Sequence, residues 1–167
     1  MINIIVAYNW DQIIGTGLQL PWHIPADLKR FKALTQDKIC VMGSVTYDSL
    51  APYFPGKEVL PGRKKLILSN SVKSVPYGTV CSIDHVKHLD KIGEDVWIIG
   101  GGKVYEIFVP LADKIFATEV DLMVPRNKDN VFFPNKRTWE NDFDIKYKEQ
   151  QFAGEVSYNF VNYERKK

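Results

Sequence analysis

Six short runs of this chain are rich in Ile, Val and Phe: residues 2–8, 38–42, 65–69, 79–82, 95–99 and 114–120. Several are apolar at consecutive positions, so an extended strand there would bury both faces. That pattern suits the interior of a largely parallel sheet. Parallel neighbours need crossovers, and helix-like stretches separate the runs at 25–35, 46–50, 84–91 and 102–109. The first opens on Pro25, which suits a first helical turn. The third has Asp84 as a candidate N-cap, and the last stops before Pro110. The tail differs: residues 144–151 and 155–164 alternate polar and apolar around Ala153-Gly154, as an antiparallel edge hairpin does. This pattern predicts one α/β domain over residues 1–167. It would have three layers, a mostly parallel central sheet flanked by helices, and a C-terminal antiparallel hairpin.

At 167 residues, 45% of them hydrophobic and 25% charged, such a chain can bury a core without a disulfide or metal staple. Cys40 and Cys81 lie among β-prone apolar neighbours and read as buried, reduced core residues. They fit a reducing compartment, which points to the cytoplasm. No window approaches ~18 uninterrupted apolar residues, so no membrane span is expected. The first residues lack the basic segment of a secretory signal. A net charge of +2 from 22 basic and 20 acidic residues is too balanced to argue for nucleic acid.

The sharpest chemical signal is Asp27. At 100° per residue, Ile24, Asp27, Leu28, Phe31, Leu34 and Thr35 share one arc of the first helix, while Lys29, Arg30 and Lys32 lie off it. A carboxylate in an apolar stripe reads in two ways. It is an exposed acid favoured by the helix dipole, or it is the wall of a pocket that receives a cation or N–H donors. A second signal is the strand at 96–99 running into Gly100-Gly101-Gly102 and then a helix. Glycines admit close approach of a ligand, and a helix N-terminus attracts phosphate; a plain glycine turn is the bland alternative. Neither the dinucleotide fingerprint nor a Walker A loop fits these residues. The stretch 14–25, with two glycines and two prolines, reads as a long ordered loop of the kind that covers sites. His85 and His88 read as a solvated helix face, and no metal site is expected. No Gly-x-Ser-x-Gly motif or reactive cysteine setting points to nucleophilic catalysis.

Taken in order, these segments resemble dihydrofolate reductase nearly end to end. The resemblance runs through Ile5-Val6-Ala7, Ile14-Gly15, Leu20-Pro21-Trp22, Pro25-Ala26-Asp27-Leu28, Phe31-Lys32, Met42-Gly43 with Thr46, and Leu60-Pro61-Gly62-Arg63-Lys64. It continues at Leu68-Ser69, Ile99-Gly100-Gly101-Gly102 with Val104-Tyr105, Thr118, and Phe133-Pro134. It implies hydride transfer from NADPH to dihydrofolate, with Asp27, Trp22 and Tyr105 at the chemistry. Asp27 would receive the pterin N3 and 2-amino group, a bidentate match. Thr118 would orient Asp27, and Trp22 would order water beside it. Leu28, Phe31 and Leu50 would wall the pterin and benzoyl rings above the Ile5 and Ala7 backbone, and Arg63 would take the glutamate carboxylate. The cofactor would lie along Ala7, Ile14, Gly15 and Leu20, then Gly43, Ser44, Val45 and Thr46, with Ser69 and Asn70. It would finish on Ile99, Gly100, Gly101, Gly102, Lys103, Val104 and Tyr105. The loop 14–20 would close over the nicotinamide.

Two departures from the family stand out. Residues 57–62 look like an insertion, so Lys57 of a similar Pro-Gly turn is an alternative to Arg63. Ser44 replaces the usual basic residue at the adenosine 2′-phosphate, leaving Ser69, Asn70 and Lys103 as candidates there. A monomer that works on small molecules is expected. A pyrimidine reductase of riboflavin synthesis shares fold and cofactor, but gives no reason to combine Asp27, Arg63 and Thr118. A folate- or nucleotide-binding module without turnover would be expected to have lost Asp27, Trp22 or the glycine turn, and all three are present.

Overall fold

The structure, a computed structural model, describes residues 1–17 and 20–167. Ten strands and four α-helices occur among them. In chain order they are β1 (Ile2–Asn9), β2 (Ile13–Thr16), α1 (Pro25–Thr35), β3 (Ile39–Gly43), α2 (Ser44–Leu50), β4 (Lys64–Leu68), β5 (Thr79–Cys81), α3 (Ile83–Lys91), β6 (Val96–Gly100), α4 (Gly102–Phe108), β7 (Lys114–Asp121), β8 (Asn130–Phe132), β9 (Phe143–Ala153) and β10 (Val156–Arg165). The main sheet has the order β5-β4-β3-β6-β1-β7-β10-β9. Every pair from β5 to β7 is parallel, and the β7-β10-β9 end is antiparallel. The expected three-layer domain with its C-terminal edge hairpin is what forms.

Strand alternation explains the layers. Ile2, Ile4, Val6 and Tyr8 of β1, with Val41, Leu66, Val96 and Ile98, pack one face against Val86 of α3 and Val104, Tyr105 and Phe108 of α4. The intervening positions Ile5, Cys40, Met42, Ile67 and Trp97 pack the other face against α1 and α2, through Phe31, Leu34, Tyr47 and Leu50. A strand buried on both faces has no polar side to show, as the consecutive apolar runs required.

The differences from expectation have local causes. The β2–β8 ribbon, paired at Ile13↔Phe132, Gly15↔Val131 and Thr16↔Asn130, occupies part of what read as loop. Its strands are too short for alternation to register. In α3 the cap is Ser82, whose hydroxyl accepts from the His85 amide, rather than Asp84. α2 begins at Ser44, two residues early, with Gly43 as its cap. β4 stops at Leu68 because the Ser69 hydroxyl accepts from the Ser71 and Val72 amides and turns the chain. Cys40 is buried, and desolvation pushes its thiol up to about 12, so it is unreactive. Cys81 is only half-buried, because β5 is an edge strand. Among the described residues, no helix is long and apolar enough to cross a membrane.

Lys65 opens a predicted strand yet turns inward. Its side chain is 2% exposed, and its ammonium donates to Glu58 Oε1 at 2.6 Å and to the Leu60 carbonyl at 3.3 Å. The inserted turn therefore closes over β4 on an ion pair. Removing one partner strands a buried charge, whereas replacing the cation by a hydrocarbon of similar length does not. Glu58→Ala is expected to lower unfolding free energy by about 1–3 kcal/mol, since Glu58 is itself 47% exposed. Lys65→Met should stay within about 1 kcal/mol of the parent. Urea titrations of both variants at constant m-value check the ranking.

Candidate active site

α1 packs against one face of the sheet through Phe31 and Leu34. Of its residues only Thr35, in the last turn, is fully buried. Phe31 and Leu34 are partly buried, and Leu28 is 50% exposed, at the surface rather than in the core. Asp27 sits in the first turn, half-buried, on the side facing β7. Thr118 of β7 donates its hydroxyl to Asp27 Oδ1 at 2.5 Å. Burial pushes the Asp27 carboxyl above the usual carboxylate range; the Thr118 hydrogen bond and the Arg30 charge oppose that push without cancelling it. Asp27 is therefore not a freely exposed first-turn acid: it is partly desolvated and bonded to Thr118.

Other expected residues converge on the same face. Ile5, Phe31, Leu50 and Ile99 belong to one apolar cluster, and Ala7 is half-buried one pleat along β1. Ala7 pairs in register with Thr118, which sets it beside the carboxylate. The Trp22 indole N–H is buried without a protein acceptor, and its ring packs with Ile24, Val120 and Tyr158. Tyr105 is buried and donates its hydroxyl to the Ile5 carbonyl at 2.8 Å. Burial, with the Asp27 charge behind it, holds that phenol protonated. Arg63 is buried at the far end of α1. Its Nε donates to Thr35 Oγ1 at 3.0 Å, one Nη to the Pro61 carbonyl at 3.2 Å, and its guanidinium lies 5.8 Å from the Phe31 ring centre. Lys57 is exposed on the inserted turn.

At the C-terminal ends of the parallel strands, two strand–helix junctions touch. A Cβ on Gly101 would come within 3.1 Å of Thr46 Oγ1, and one on Gly43 within 3.4 Å of Val104. Gly100 has φ +125°, and a Cβ there would meet the Tyr105 ring. The caps of α2 and α4 are Gly43 and Gly101, and neither helix has a side-chain cap, so first-turn amides remain available to an anion. Ser44, Val45 and Thr46 form that first turn of α2. The pairing Gly43↔Leu68 sets Ser69 and Asn70 beside it, although the Ser69 lone pairs already serve its own turn. Lys103 is exposed at the start of α4. Ile14 and Gly15 approach this region through β8, because a Cβ on Gly102 would come to 2.9 Å of Val131. Leu20 is exposed, and residues 18 and 19 of the expected closing loop lie outside the described residues.

Arg30, which lies off the apolar arc of α1 and received no role from the sequence, is half-buried against β7 and β10. Its i, i+3 spacing from Asp27 was the available signal.

The family model for dihydrofolate reductase matches residues 1–165. The chain belongs to the dihydrofolate reductase family. It is 36% identical over 165 residues to the dihydrofolate reductase of Neisseria gonorrhoeae, covering 97% of this chain and 96% of that one. It is 33% identical over 136 residues to that of Mycobacterium leprae, covering 80% and 81%. Among solved structures, dihydrofolate reductase from Enterococcus faecalis complexed with NADP(H) and RAB-propyl superposes with TM-score 0.84 at 24% identity, covering 100% of this chain and 97% of that one. In this family member the buried acid is also a stability liability. Its folded carboxyl titrates above its unfolded value, so the folded state is penalised above that range and relieved as pH falls through it. Asp27→Asn is therefore expected to be more stable than the parent at pH 7. The advantage should fade below the ordinary carboxylate range, as paired thermal melts across pH would read.

Proposed function

We infer that the chain reduces 7,8-dihydrofolate to 5,6,7,8-tetrahydrofolate with NADPH, the product serving one-carbon metabolism and thymidylate synthesis. The observation that carries this reading is the half-buried Asp27 carboxylate bonded by Thr118, in a fold whose glycine turn 100–102 packs closely on Tyr105, Thr46 and Val131. When bound, NADPH supplies a hydride from C4 to C6 of the pterin. The donor set fits that cofactor, since uncapped amides at α2 and α4 accept phosphate and Gly100–Gly102 admit its close approach.

Asp27 takes the 2-amino and N3 hydrogens of the pterin through its two oxygens. Thr118 fixes the plane of that carboxylate. Leu28, Phe31 and Leu50 cover the rings and exclude water from the reacting face. The proton destined for N5 enters by way of solvent near Asp27, and the unpaired Trp22 indole N–H is placed to hold a water there. Tyr105 does not transfer a proton, because its hydroxyl is bonded to Ile5. It shapes the floor between the two ligands. Arg63, seated on Phe31 and Thr35, offers its terminal nitrogens to the glutamate carboxylate. Ser44 offers a neutral hydrogen bond to the 2′-phosphate, so preference for NADPH over NADH rests largely on backbone amides, Asn70 and Lys103. The expected state is a cytoplasmic monomer.

Asp27→Asn keeps shape but removes the anion. Turnover in a dihydrofolate-dependent NADPH oxidation assay is expected to fall ~10²–10⁴-fold at pH 7, and less at lower pH. Near-parental turnover would remove the reading. Arg63→Ala should raise the dihydrofolate KM by the equivalent of about 2–5 kcal/mol with kcat little changed, and Lys57→Ala far less. The reverse ranking would assign the tail to the inserted turn.

A further inference from the structure

Arg30 is the arginine of α1, one turn beyond Asp27, and its side chain folds under the helix. Its guanidinium donates to the Ala117 carbonyl at 3.5 Å and to Asn162 Oδ1 at 2.5 Å. The guanidinium carbon lies 4.5 Å from the Phe160 ring centre and 6.0 Å from that of Phe116. Both hydrogen-bond acceptors are neutral. Among the described residues no carboxylate pairs with Arg30 within 4.0 Å. A cation held by neutral groups and aromatic faces keeps its field, which acts on neighbouring acids in a medium of reduced dielectric. Asp27 lies one turn back on the same helix, and its partner Thr118 follows Ala117 on β7.

We propose that Arg30 is a positioning residue for the reduction: anchored by Asn162 and Ala117, it holds a fixed positive charge behind Asp27 that keeps the carboxylate anionic for the pterin. The proposal rests on the role given to Asp27 above. Two titration effects agree with it. Desolvation raises the Asp27 carboxyl and lowers the Arg30 guanidinium, and each group's charge partly opposes the shift of the other. The other groups facing Asp27 are the Thr118 hydroxyl from β7, the Tyr105 phenol from α4 and the Tyr158 phenol from β10, and burial, with the Asp27 charge second, pushes both phenols up. None of these supplies a positive charge. Glu119, next along β7, turns to the opposite face, where Tyr8, Tyr163 and Lys136 bond it.

The test titrates the Asp27 carboxyl by carbon NMR in the full chain without ligands, and separately follows the single-turnover hydride step across pH. Arg30→Gln removes the charge but retains donors for Asn162 and Ala117. Its Asp27 midpoint, and the pH at which the hydride step declines, should both move up. Arg30→Lys should largely restore both, which a packing role alone would not do. Asn162→Leu frees the guanidinium and should shift both the same way, so the test survives if Arg30→Gln does not fold. Unchanged Asp27 midpoints in the charge-removing and anchor-removing variants would overturn the proposal. A moved midpoint with an unmoved hydride profile would support the coupling and instead count against the role given to Asp27.

Discussion

A carboxylate placed under a helix stays ionised only if protein groups replace the water it has lost. For Asp27 the replacement is one hydroxyl, from Thr118, and one charge a turn away, from Arg30. Desolvation remains the larger effect, so the group sits above its ordinary range. Asp27, in the first turn of α1, is intermediate in exposure, whereas Thr35 in the last turn is fully buried.

The parallel sheet decides where everything else can go. Its strands end on one edge, and the helices that follow β3 and β6 begin there with glycine caps and free amides. Crevices outside the carboxyl ends of parallel strands are where such folds take ligands. Here β1, between β6 and β7, carries Ile5 and Ala7, and Ala7 pairs with Thr118. Tyr105 joins β1 to the glycine turn: its hydroxyl is bonded to the Ile5 carbonyl and its ring packs against the Gly100 position.

What could be read from the chain alone follows the same physics. Consecutive apolar residues over 2–8 or 38–42 leave few options besides a doubly covered strand, so sheet and layers were legible. The β2–β8 ribbon was not, because Ile13–Thr16 is four residues long and is defined by a partner more than a hundred positions away. Asp27 was visible because its type conflicts with its place in an apolar arc. Arg30 was hidden because the arc criterion treats a cation beside a polar face as solvated, while its long stem lets the head reach β7 and β10. Leu28 failed the same criterion in the opposite direction: periodicity reports which side a residue faces, not how near the opposing surface lies. Lys65 shows the limit most plainly. Nothing local marks it as buried, and its partner Glu58 comes from the inserted turn.

That turn also bears on how a departure from the family pattern can be accommodated. Its Val59 and Leu60 are buried in the cluster that includes Ile5, Cys40, Met42 and Trp97, and Glu58 reaches the Lys65 ammonium on β4. The turn at 57–62 therefore does not hang from the fold; it extends the face on which Phe31 and Leu50 lie. Arg63 follows it directly and is pinned by Thr35 at one nitrogen and by the Pro61 carbonyl at another. Two of its donors are thus committed to the scaffold. A guanidinium so constrained has lost rotamer freedom before any ligand arrives, which lowers the entropy cost of meeting a carboxylate. Lys57, with four rotatable bonds in solvent, would have to lose that freedom on binding. The proposed choice of Arg63 over Lys57 therefore rests on preorganisation as much as on charge.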